Sequence, residues 1–219
     1  MFSGSYVAMV TPFDDNNKVD TQKIKEIADF LITSGAEGLV PCGTTGESVT
    51  LSDEEKLLIT RTVVKQSAGR CPVIAGAGTN STEHSISMAR ELEKIGASAL
   101  LVVTPYYNKP SQEGLYMHYK NIAASVKIPV VIYNVPGRTA CNILPHTVVR
   151  LANDCPNITC IKEASGSIDQ ATEIVSKAKA GFCLMSGDDS LTLPLMAVGG
   201  SGVISVVANV APGEVRQMC

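Results

Sequence analysis

No stretch of the 219 residues approaches the roughly 20 consecutive apolar positions that a membrane-crossing helix needs. The opening Met1-Phe2-Ser3-Gly4 does not begin a signal peptide. There is no basic block: 18 lysines and arginines stand against 21 acidic residues, for a net charge of −3. That balance excludes an electrostatic grip on nucleic acid or on an anionic membrane. Histidine is scarce, and His84, His118 and His146 fall at spacings that match no metal site, so no dedicated metal centre is expected. The seven cysteines form no CxxC pair. Their odd number, and the placement of Cys160 and Cys183 in apolar runs, point to reduced, mostly buried thiols and a cytoplasmic location. Linkers, low-complexity segments and fixed-period repeats are also missing. What remains, at 45% hydrophobic residues, is a soluble chain with one substantial core, read as a single domain over residues 1–219.

Apolar strand-like runs alternate along the chain with amphipathic stretches. The strands are expected at Tyr6–Val10, Gly38–Pro41, Val73–Ala75, Ala99–Val103, Val130–Tyr133, Ile158–Lys162, Phe182–Met185 and Gly202–Ser205. Helices are expected over 21–33, 53–68, 82–95, 112–126, 144–153, 167–178 and 190–198. Ser52-Asp53-Glu54-Glu55 has the form of a capping box, and Asn80 with Glu83 offers a similar pair. Thr33-Ser34-Gly35 and Lys94-Ile95-Gly96 read as stops. Strand–helix alternation repeated through eight strands describes a (β/α)₈ barrel. A doubly wound open sheet is the weaker reading, because no G-x-G-x-x-G follows the first strand and Gly76-Ala77-Gly78 lacks the third glycine. After the eighth strand, Pro212 opens a helix of only about two turns. The expectation is therefore a barrel truncated within its eighth helix, with an apolar groove on the wall that this helix would cover.

Chemistry concentrates at the predicted strand ends, which a barrel gathers on one face. Lys162 ends an otherwise apolar strand, and across the eight strands it is the only lysine in that position. An amine held against apolar walls loses hydration, its pKa falls, and its neutral form can attack a carbonyl to give a Schiff base. The plain alternative is a lysine that snorkels from the strand end into water. Gly43-Thr44-Thr45-Gly46-Glu47-Ser48 places two hydroxyls in a Gly-rich turn whose amides can face an anion, or merely satisfies its own backbone. Tyr106, Tyr107 and Tyr133, three of six tyrosines, fall at strand ends, where phenols beside a lysine can carry protons. Arg138, expected in a loop, is suited to hold a carboxylate bidentately.

Three motifs in this order, Gly43-Thr44-Thr45-Gly46-Glu47, Tyr133-Asn134-Val135-Pro136-Gly137-Arg138-Thr139 and Ile161-Lys162-Glu163-Ala164-Ser165-Gly166, resemble the dihydrodipicolinate synthase family of pyruvate-dependent class I aldolases. The resemblance runs from about Val7 to Asn209. It implies a TIM barrel and a lyase that condenses pyruvate with L-aspartate 4-semialdehyde, the first committed step toward diaminopimelate and lysine. No cofactor is implied beyond the covalent imine on Lys162. Tyr133 would be the proton donor and acceptor, in a relay with Thr44 and with Tyr107 donated by a neighbouring subunit. Thr45 and the backbone of Ile204 would hold the pyruvate carboxylate, with Gly43 in the same binding turn, and Arg138 would hold the carboxylate of the semialdehyde. A borrowed Tyr107 implies a homodimer or homotetramer.

The related N-acetylneuraminate lyases share the lysine and tyrosine, but their substrate does not call for Gly137-Arg138-Thr139. Two other readings are a lyase acting on a sugar acid and an inactive truncated barrel. Family members carry a C-terminal helical region that is not seen here, and lower stability than relatives is expected. The family's lysine feedback site maps near Ser48, Asn80 and Tyr106. Asp53, Lys56 and His84 differ from the residues expected in a lysine-sensitive form, and Lys56 would repel the cationic effector, so weak or no inhibition is expected.

Overall fold

Runs that are apolar on both faces fit strands covered on both sides, and a closed parallel sheet provides that cover. A computed structural model of the protein, which describes residues 2–219, contains such a sheet. Its strands are β1 (Gly4–Ala8), β2 (Gly38–Val40), β3 (Ile74–Gly76), β4 (Ala99–Val103), β5 (Val130–Asn134), β6 (Ile158–Glu163), β7 (Cys183–Ser186) and β8 (Gly202–Ser205). They pair in parallel in the order β2-β1-β8-β7-β6-β5-β4-β3. The ring closes between β2 and β3 through the single bridge Leu39↔Val73, flanked by Leu39 N–H to Pro72 O at 3.0 Å and Gly76 N–H to Pro41 O at 3.1 Å. This is the (β/α)₈ barrel, with strand limits within two residues of those expected.

Outside the sheet lie α1 (Thr21–Thr33), α2 (Asp53–Ser67), α3 (Thr82–Ile95), α4 (Gln112–Ala124), α5 (Pro136–Thr139), α6 (Pro145–Asp154), α7 (Ile168–Lys177), α8 (Thr192–Ala197) and α9 (Pro212–Met218). The capping box at α2 forms on both sides: Glu55 N–H donates to Ser52 Oγ at 3.2 Å and Ser52 N–H to Glu55 Oε2 at 2.8 Å. At α3 the expected cap is displaced by one residue. Ser81, not Asn80, accepts from His84 N–H at 3.3 Å, because the nearer hydroxyl reaches the third amide of the turn. Gly96 ends that helix at φ 98°, a conformation that costs a glycine little. The two turns of α9 start at Pro212 and bury Val215 on the β1–β8 side, while Val210, just before them, stays 82% exposed.

Side chains alternate between two layers. Tyr6, Val40, Ile74, Leu101, Val131, Met185 and Ile204 fill the barrel, and the outward residues of the same strands pack on the helices. β6 breaks the alternation once. Val130 pairs with Ile158 but Val131 pairs with Cys160, which leaves Thr159 as a bulge. Among the described residues no helix is long and apolar enough to cross a membrane, and the seven cysteines are free.

Candidate active site

Beyond the bulge, β5 and β6 run in register, with Tyr133 beside Lys162 and Asn134 beside Glu163. Tyr133 and Lys162 point into the barrel, and the lysine Nζ lies over the aromatic face, 4.3 Å from the ring centroid. Lys162 is only 5% exposed, and no described carboxylate forms an ion pair with it. Burial lowers its pKa from 10.5 to about 8; Asp189 opposes the shift and the Arg138 guanidinium reinforces it. Burial raises the Tyr133 phenol, and the Thr44 hydroxyl and Arg138 offset part of that.

The two side chains face a cavity of about 470 Å³, well within the range of small-molecule sites. Its walls include Thr44 and Thr45 from the turn after β2, Arg138 after β5, and Asp189 after β7. Arg138 sits on the one-turn helix α5, not in the open loop expected from sequence. Pro136 starts that turn with a pre-set φ, and Thr139 Oγ1 ties it down at 3.2 Å to Val135 O and 3.0 Å to Cys141 O. The turn carrying the threonines spends two of its amides on itself: Glu47 N–H donates to Thr44 O at 3.0 Å and Ser48 N–H to Gly43 O at 3.3 Å.

This chain matches the dihydrodipicolinate synthetase family over residues 1–219. It belongs to that family. A 4-hydroxy-tetrahydrodipicolinate synthase from Trichlorobacter lovleyi is 54% identical over 218 residues, covering 100% of this chain and 74% of the relative. The crystal structure of dihydrodipicolinate synthase from Aquifex aeolicus superposes with a TM-score of 0.97 at 45% identity, covering 99% of this chain and 74% of that one. The Cyanidioschyzon merolae enzyme, solved with lysine bound, gives 0.97 at 42% identity, with coverage of 99% and 74%.

Of the residues that the resemblance to the dihydrodipicolinate synthase family singles out, the cavity gathers Thr44, Thr45, Tyr133, Arg138 and Lys162. Others lie elsewhere. Ile204 is fully buried in the barrel interior on β8. Tyr107 stands 90% exposed, at φ 74°, on the loop after β4 and away from the Lys162 cavity. Gly43, Ser48, Asn80 and Tyr106 line a neighbouring cavity, together with Asp53, Lys56 and His84. There Asp53 is already engaged, at 2.6 Å to His84 Nε2 and 3.4 Å to Lys56 Nζ. Thr44 and Tyr133 line both cavities, so one wall separates them.

Three residues of this family member escaped the sequence reading. Asp189 is anchored by the Ser205 hydroxyl and by the amides of Val206 and Val207 at 3.0 and 3.1 Å, and this holds its charge toward the cavity. A Cβ at Gly187 would stand 3.0 Å from Lys162 Cε and 2.8 Å from the Ala164 methyl, so the lysine stem needs that glycine. Glu163 is 1% exposed and lies on the opposite face of β6 from its neighbour. The legible signal was a second polar residue interrupting the same apolar run.

Proposed function

We propose that the chain condenses pyruvate with L-aspartate 4-semialdehyde in the Lys162 cavity and yields 4-hydroxy-tetrahydrodipicolinate. The observation that carries the reading is a buried amine with no paired carboxylate, brought to a pKa of about 8 beside a phenol and facing a cavity with one arginine. The neutral amine attacks the keto carbon of pyruvate, and loss of water gives an imine. The protonated imine nitrogen draws electrons from the neighbouring methyl, which loses a proton through Tyr133 and Thr44. The resulting enamine carbon bonds to the aldehyde carbon, whose oxygen takes a proton back from the relay. The amino group of the semialdehyde then adds to the former keto carbon and expels the Lys162 amine, which closes the ring and frees the product. Thr45, with the Ile204 backbone and Gly43 of the same turn, receives the pyruvate carboxylate in this reading, and Arg138 receives that of the semialdehyde.

Covalent capture needs no metal, and among the described residues no cluster of metal-ligating side chains occurs. The exposure of Tyr107 on its own barrel supports the reading that it serves a second copy, in a homodimer or homotetramer working in the cytoplasm on small substrates. Borohydride added with pyruvate is expected to leave a stable adduct on the Lys162 peptide, and Lys162→Ala to abolish both adduct and turnover. An unmodified peptide would remove the mechanism, and faster turnover of a sugar acid than of the semialdehyde would reassign the substrate.

The neighbouring cavity is the regulatory site in this reading. Lys56 presents a cation to any lysine entering it, and Asp53, the carboxylate beside it, is already paired with His84. Weak or absent inhibition by lysine is expected in a coupled assay, and micromolar inhibition would contradict the assignment.

A further inference from the structure

Lys162 reaches the barrel interior only because β6 carries one extra residue. β5 alternates regularly, with Val131 and Tyr133 inward and Val130 and Ile132 toward the helices. Had the pairing Val130↔Ile158 continued without the Thr159 bulge, Ile161 would stand beside Tyr133, and Lys162 would face the helices beside Asn134. The Thr159 side chain does not secure the bulge, since its hydroxyl has no hydrogen-bond partner, and its carbonyl receives the weak Cys183 thiol at 3.5 Å.

The shifted register is tied at its far end, on the outer face. Asn134 is fully buried, and its Nδ2 donates to Glu163 Oε1 and Oε2 at 3.2 and 3.1 Å, directly behind the Tyr133–Lys162 pair. Ser165 N–H donates to the same carboxylate at 2.6 Å and Gln170 Nε2 at 3.2 Å. Asn134 is itself fixed, because its Oδ1 accepts from Ile143 N–H at 3.2 Å and its Nδ2 also reaches Asn142 Oδ1 at 2.8 Å. A one-residue slip would turn Glu163 inward and break its bonds to Asn134 and Gln170.

We propose that Asn134 and Glu163 are positioning residues for imine formation: their cross-strand hydrogen bond locks the register that the Thr159 bulge creates and so keeps Lys162 beside Tyr133. The inference rests on Lys162 being the imine-forming amine. An acceptor-only carboxylate suits three converging donors. A glutamine there would set its own NH₂ against one of them.

The test measures the rate at which saturating pyruvate produces the borohydride-trapped adduct on Lys162, per folded protein, with KM and kcat alongside. Glu163→Gln and Asn134→Ala are expected to slow adduct formation roughly 10- to 100-fold, the scale of a small misplacement of a reacting group, with kcat carrying the loss and KM for the semialdehyde unchanged. Asn134→Asp combined with Glu163→Gln returns an acceptor–donor pair across the strands, and it is expected to recover most of the rate. If Glu163→Gln does not fold, Asn134→Ala, which leaves the carboxylate its Ser165 and Gln170 partners, carries the test. A folded single variant within twofold of the parent rate, or a double variant as slow as the single, would overturn the proposal. An adduct in the parent protein separates the two ideas: without it both fall, and with it only the positioning role is at stake.

Discussion

Lys162 and Glu163 are consecutive on β6 and nearly equally buried, at 5% and 1% exposure, yet the two sides of the sheet treat them differently. On the inside, the amine meets an aromatic face and an open cavity, and no hydrogen-bonding partner is provided for it. On the outside, the carboxylate is met by an asparagine, a glutamine and a backbone amide. Native interiors normally satisfy their polar groups, as the outer face does. In the proposed reading, the unsatisfied amine is the group held ready for a substrate, and the satisfied carboxylate is part of the frame that aims it.

The sharpest way to break this contrast is to replace each member and read stability beside activity. Lys162→Met is expected to abolish turnover while raising Tm. The folded pKa, about 8, lies below the unfolded value of 10.5, so between those pH values the unfolded chain holds more protons and stability rises with pH. Below that window the full penalty stands, on the order of 3 kcal/mol, and a buried methionine would not incur it. Glu163→Ala should move Tm the other way, because buried Asn134 loses an acceptor at about 1–3 kcal/mol and the half-buried Ser165 amide and Gln170 lose theirs at a smaller cost. A lysine variant that unfolds earlier, or a Glu163 variant that unfolds no earlier, would erase the distinction.

A smaller effect tests the inner side alone. In the proposed mechanism the neutral amine is the nucleophile, so pyruvate capture should rise with pH, pass half its maximum near 8, where half the amines are neutral, and level off about one unit higher. Arg138→Ala removes a cation that favours the neutral form and should move the curve to higher pH. Asp189→Asn removes the opposing anion and should move it lower. A capture rate that is flat from pH 6 to 9 would mean that another group controls the step.

The barrel was readable because covered parallel strands must be apolar and helix starts carry hydroxyl caps; Ala99–Val103 and Gly202–Ser205 match residue for residue. Lys162 was readable for the opposite reason, as a charge in an apolar run. The bulge was not, because Thr159 suits a regular strand as well as a bulge, and only pairing with β5 tells them apart. Asp189 stayed hidden since its partners Ser205, Val206 and Val207 lie on another strand end, a proximity that chain order does not announce. Arg138 was found, but its one-turn helix is too short to show periodicity.

The clasp between β2 and β3 has a consequence of its own. Where β5 and β6 share a ladder, this joint has one bridge, and a methyl at Gly76 would fall 1.9 Å from the Cys42 carbonyl oxygen, too close for any side chain to reinforce the joint from there. Cys42, Gly43 and Gly76 also wall the cavity that holds Lys56. A guest lodged there would act as a rivet across the weakest point of the hoop, and its arrival would be felt as slower amide exchange at Leu39 and Gly76.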